Sequence, residues 1–209
     1  LLAVLSQSGR SPLELKLVRN QQVIKLSFTP TVFVLTDSAA TPALAKIPVP
    51  ASSAWNVVAN QKTNNDPLTS LTDGKLATGY GPVFGNGVNN GAYKMDLGAV
   101  TPLAAISNWS HSRNGQRGAQ NVTLYGSEAL SDPGWNLSKY TPLGTIDTTA
   151  QQLNAYNAVS LRASAGKSLG SFRWIVWAVS PVSSKAGGEN TAFQELHVEA
   201  IIDTDSDGQ

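Results

Sequence analysis

The residues best equipped for chemistry cluster between Ile106 and Val122, where Trp109, His111, Arg113, Asn114, Gln116 and Arg117 follow one another closely. A flat indole beside imidazole, guanidinium and amide donors suits a ligand with an apolar C–H face and a rim of hydroxyls, as a sugar has. Trp109 stands three residues after Ile106, so in a regular strand it points to the opposite side, where it is either exposed to a ligand or covers the second sheet. Trp109, His111, Arg113 and Arg117 are therefore the first candidates for ligand contact. The stretches Tyr80 to Gly91 and Ser183 to Asn190 are further rim candidates, with Asn190 the donor singled out. Catalysis would need a nucleophile with its base, or paired acids. The two histidines, His111 and His197, stand in no H-E-x-x-H, G-x-S-x-G or P-loop pattern, so binding rather than reaction is expected. Residues 203–209 match the front half of a D-x-D-x-D-G calcium loop without its closing Glu, and read as an acidic tail or the start of a calcium-binding repeat.

The elements that must position these side chains are strands. Eighteen glycines, eleven prolines and frequent Asn, Ser and Thr punctuate the 209 residues at short intervals, as many short strands joined by turns do. Tyr93, Met95 and Leu97 alternate with Lys94 and Asp96, which predicts a strand with one buried face and Gly98 as its end. Asn121 to Tyr125 and Phe193 to Ala200 repeat the alternation. Phe172 to Val179 is apolar on both faces and predicts a central strand. Leu13 to Val18 and Val23 to Phe28 predict a hairpin that either packs onto the main domain or reaches a neighbouring chain, and Pro42, Pro48 and Pro50 mark extended linker after it. Three segments follow: N-terminal strands and a Pro-rich linker over 1–50, an all-β domain over 51–202, and the acidic tail.

Composition narrows the partners. A net charge of +1 with 14% charged residues provides no field to gather nucleic acid or an anionic membrane. The opening Leu1 to Leu5 is far shorter than the roughly 20 apolar residues of a membrane span. Without cysteine there are neither disulfides nor thiolate metal sites.

From Leu71-Thr72-Asp73-Gly74 and Thr78-Gly79-Tyr80, through Tyr93-Lys94-Met95-Asp96-Leu97-Gly98 and Val122-Thr123-Leu124-Tyr125-Gly126-Ser127, to Gly134-Trp135, Phe172 to Val176 and Phe193 to Val198, the chain resembles the galactose-binding-like, discoidin or coagulation-factor type C family. Its relatives include many bacterial carbohydrate-binding modules. The resemblance implies an antiparallel jelly-roll β-sandwich. It further implies a structural Ca²⁺ held by Asp73, Thr78 and Glu195 with main-chain carbonyls near Ser70, Lys75 and Gln194, a hard-oxygen set suited to calcium. The expected function is a non-catalytic, secreted or cell-surface module that binds a glycan or cell-surface polysaccharide in adhesion. The alternative is a structural subunit of an extracellular assembly, joined to its neighbours by the N-terminal strands. A homo-oligomer and a place in a larger multidomain chain both fit these expectations.

Overall fold

The computed structural model describes residues 13–19, 22–28, 51–77, 80–85, 88, 90–111, 120–147, 156–181 and 193–201. The chain falls into two compact units, Leu1–Leu35 and Thr36–Gln209. In the first, β1 (Leu13–Arg19) and β2 (Gln22–Phe28) pair antiparallel with Leu13 opposite Phe28 and Leu17 opposite Ile24, the hairpin predicted from their alternation. The apolar run from Val32 to Leu35 and the proline-rich stretch lie outside the described residues.

The second unit is built around one long strand. Its strands are β3 (Asn56–Ala59), β4 (Thr63–Asn65), β5 (Pro82–Phe84), β6 (Gly91–His111), β7 (Gln120–Ser127), β8 (Thr141–Asp147), β9 (Tyr156–Arg162), β10 (Ser171–Pro181) and β11 (Phe193–Ala200). Every pairing among them is antiparallel. The first half of β6 lies between β3 and β10, and β7 and β8 extend that sheet to five strands. Its second half lies between β11 and β9 in a three-stranded sheet. Tyr93, Met95, Leu124, Ile146, Ile175 and Trp177 from the first sheet share one apolar core with Ile106, Val159, Leu161, Leu196 and Val198 from the second. That is a β-sandwich, and the seven residues whose alternation marks the core (Leu97, Val122, Leu124, Trp174, Val176, Leu196, Val198) are all buried. Among the described residues the only helical pieces are the 3₁₀ turns Leu68–Thr72 and Leu137–Lys139.

Two local expectations are corrected. Gly98 does not close a strand. It takes φ +79°, where a side chain would be strained, and bends β6 from one sheet toward the other. Lys94 is not solvated either, being 1% exposed. The outer face of the five-stranded sheet carries a small second core of Ala92, Tyr140, Trp174 and Val176 beneath the segment joining β7 to β8. The Lys94 ammonium pairs with Asp132 and lies 4.4 Å from the Trp135 ring centroid and 5.4 Å from that of Trp174. A desolvated ammonium is tolerated because anion and π faces together replace its hydration.

Candidate functional site

Register places the ends of many strands together. Pro181 pairs with Gln120, Asn121 with Asp147, Phe193 with Ser110 and His111 with Tyr156, while Gly91 at the start of β6 pairs with Val179. Hence the connections β5–β6, β6–β7, β8–β9 and β10–β11 all leave from one end of the sandwich. Arg113 and Arg117 belong to the β6–β7 connection and Asn190 to the β10–β11 connection. All three lie outside the described residues. His111 is the last residue of β6.

Trp109 corrects the expectation of an exposed stacking face. It sits inside β6, between Glu195 of β11 and Ala158 of β9, and is 3% exposed. The pleat argument holds, since Trp109 does point away from the side shared by Ile106. The inference to exposure fails because the outer face of the three-stranded sheet is itself covered: Trp55 packs its ring 6.0 Å from that of His197, and the Gly74 turn reaches Glu195. A strand of the small sheet therefore buries side chains on both faces, with Ala105 and Ser107 as dry as Ile106.

The residues proposed for a metal lie partly within view. The 3₁₀ turn Leu68–Thr72 ends at Asp73, whose Oδ1 accepts the Lys75 N–H at 2.9 Å and fixes a tight turn. Gly74, at φ +76°, turns its N–H onto Glu195 Oε1 at 3.3 Å. Glu195 itself is 1% exposed in β11, and its Oε2 has no hydrogen-bond partner. Burial pushes the Glu195 carboxyl up to about 8, the Asp73 charge pushes the same way, and the Gly74 hydrogen bond opposes both. Ser70 Oγ donates to the Pro67 carbonyl at 2.7 Å, which leaves its own carbonyl as the group of interest. Gln194 lies in β11 at an irregularity between Phe193 and Glu195. Thr78 lies outside the described residues. Among the described residues no three His, Cys, Asp or Glu side chains converge, so a cation here would draw most of its ligands from carbonyl and hydroxyl oxygens. Two carboxylates at one turn, one of them buried with an oxygen unsatisfied, fit a hard cation.

The remaining ionic groups serve the fold. Arg173 makes a two-point pair with Asp96 (Nε to Oδ1 2.8 Å, Nη2 to Oδ2 3.0 Å), and Arg162 makes another with Glu199 (Nη1 to Oε1 3.0 Å). Burial lowers the His197 imidazole below its ordinary value, against the Glu199 charge. Reading the sequence missed the Lys94, Asp132 and Trp135 cluster, because Lys94 occupies the polar phase of an alternating strand. Only the apolar Trp174 and Val176 in the same phase of the neighbouring strand hint that this face is also covered.

No protein-family model and no curated protein matches the chain. It is similar in structure to a Ruminococcus gnavus fucosidase in complex with fucose, at 17% identity over 70% of this chain and 25% of that one, with a TM-score of 0.46. The chain thus spans about a quarter of that enzyme's length. It is also similar to a family 32 carbohydrate-binding module from C. perfringens in complex with galactose (12% identity, 69% and 92% covered, TM-score 0.45). A fucolectin from the serum of the striped bass Morone saxatilis gives 12% identity, 71% and 46% covered and a TM-score of 0.49. Carbohydrate-binding modules and lectins of the galactose-binding-like type are thus among the solved structures it is similar to.

Proposed function

We propose that the chain is a non-catalytic, extracellular glycan-binding module used in adhesion, with its ligand surface at the end of the sandwich where β6, β7, β10 and β11 meet their connections. The observation that carries this reading is the register. It brings the exits toward Arg113, Arg117 and Asn190 beside the end of β6 at His111. The strand ends that flank these donors, which are spread over some eighty residues of sequence, thereby lie at one rim, and donors gathered there would suit a polyhydroxyl ligand. Trp109 has no part in that surface. The test is a glycan array that includes galactose and fucose, followed by titration of Arg113→Ala and Arg117→Ala. Loss of roughly tenfold or more in affinity with unchanged folding is expected, since removing a charged donor costs about 1.5–3 kcal/mol. Full affinity in both variants would remove this rim from consideration.

A Ca²⁺ or Na⁺ ion at Asp73 and Glu195, with Thr78 and carbonyls near Ser70, Lys75 and Gln194, is proposed as a structural partner of the fold. The unsatisfied Glu195 Oε2 supports it. Binding to the folded state alone raises the melting temperature. Chelator should lower it and calcium should restore it, and Glu195→Gln should abolish the response. An unchanged melting temperature would exclude the ion.

The second reading, a structural subunit of an extracellular assembly, is favoured by the β1–β2 register. It sets Leu13, Leu15 and Leu17 opposite Phe28, Leu26 and Ile24 in a two-stranded ribbon. Such ribbons are marginal in water unless something packs on them. Size-exclusion chromatography with and without residues 1–50 separates the readings, because an assembly element should lower the oligomeric state when removed.

A further inference from the structure

We propose that the sandwich interior contains a built site for a single ordered water molecule, held between Asn108 of β6 and Trp177 of β10 and bonding the two sheets together just beneath the loop end. Both side chains belong to residues that are 0% exposed, and each has one polar atom without a hydrogen-bond partner: the Asn108 carbonyl Oδ1 and the Trp177 indole Nε1. One is an acceptor and the other a donor, so neither can be satisfied by a second group of its own kind.

Their positions bring them to one region of the core. Asn108 points inward, since its partners in register, Leu196 and Val159, are both core residues. Trp177 is itself a core residue and lies opposite Tyr93. The Tyr93 ring crosses the sandwich to lie 5.6 Å from that of Phe193, and Phe193 pairs with Ser110, two residues along the same face from Asn108. Tyr93 and Phe193 thus connect the Trp177 neighbourhood with the Asn108 neighbourhood.

Buried polar atoms left alone are costly, and interior waters in proteins occur where two to four such groups converge. Water accepting from Trp177 Nε1–H and donating to Asn108 Oδ1 satisfies both. Ser110 is the third partner: its Oγ accepts from Asn108 Nδ2 at 3.3 Å, and its own proton remains to be donated to the same water. Asn108, Ser110 and Trp177 would otherwise be poor choices in an apolar core, where Leu, Ala and Phe pack without loss.

The test has two arms. In the uniformly ¹⁵N-labelled protein, the Trp177 indole proton, assigned among five tryptophans by its disappearance in Trp177→Phe, should give a long-lived dipolar cross-peak to water while exchanging slowly with solvent. Absence of that cross-peak overturns the proposal, whatever the variants do. In the second arm, Asn108→Leu and Trp177→Phe each remove one end of the bridge and leave the other group orphaned. The double variant should therefore be about tenfold more stable, in its unfolding equilibrium constant, than the two single effects multiplied together. Strict additivity speaks against a bridge. Coupling without the water cross-peak would mean that the two side chains bond directly, which also excludes the water.

Discussion

At the scale of single residues, Trp109 shows how burial changes what a substitution measures. Its indole is 3% exposed between Glu195 and Ala158, so Trp109→Ala should act as a core truncation and cost about 3–5 kcal/mol of folding stability. Urea denaturation checks this, and a loss under about 1 kcal/mol would return the residue to the surface. Asp96 gives a second expectation, on pH. Hydrogen bonds from Arg173 hold its carboxyl below the ordinary 3.8, helped by the Gly98 N–H and by the charges of Arg173 and Lys94, against the effect of burial. A depressed carboxylate contributes stability that is complete above its unfolded value near 3.8 and lost as pH falls through the lower folded value. The wild type should therefore lose stability more steeply than Asp96→Asn as the pH falls below about 4, as acid titrations of the denaturation midpoint will reveal. Parallel acid limbs would mean that the pair is as strong in the unfolded chain. Glu195 was singled out from the sequence as a metal ligand through the family resemblance, but its burial, like that of Trp109 opposite it, was not legible. Alternation tells which side of a strand a residue takes, and cannot tell whether that side is covered.

At the scale of elements, the same limit explains β6. Its first half reads clearly from Tyr93, Met95 and Leu97, but Gly98 reads as the end of a strand, since glycine takes a turn conformation at little cost. The chain continues because it is changing sheets there. Pro102 still pairs with Ser171, and its carbonyl accepts the Ile201 N–H at 2.8 Å. Local rules describe a strand inside one sheet, and a strand shared by two breaks them at the crossing. The β7–β10 contact supplies a sharper test of packing. The Phe172 ring lies directly on the bare backbone of Gly126, where an added Cβ would come within 2.5–2.7 Å of ring carbons. Gly126→Ala should therefore cost about 1–3 kcal/mol by overpacking. Adding Phe172→Leu, whose narrower side chain can move aside, should recover part of that loss. A neutral Gly126→Ala, measured by the shift of the urea midpoint, would show that Phe172 has room to retreat.

At the scale of the whole molecule, the chain divides into the units Leu1–Leu35 and Thr36–Gln209. Among the described residues the larger core runs from Val57 to Val198 and is drawn mainly from both sheets of the sandwich. No residue before Thr36 belongs to the unit that contains it. A two-stranded hairpin alone carries too little buried surface for independent stability, while a sandwich of seven strands over some 150 residues carries enough. A chain beginning at Thr36 should accordingly fold with the same far-ultraviolet circular dichroism per residue of sandwich. Its urea midpoint should correspond to within about 0.5 kcal/mol of the full chain, the scatter expected of changes remote from a core. It should also keep whatever glycan affinity the full chain has, because the rim formed by β6, β7, β10 and β11 is intact in it. A fall of several kcal/mol would mean that the hairpin completes the sandwich in the folded state. Preserved stability with a reduced oligomeric state would mean instead that β1 and β2 join neighbouring chains, leaving the sandwich to its own ligand.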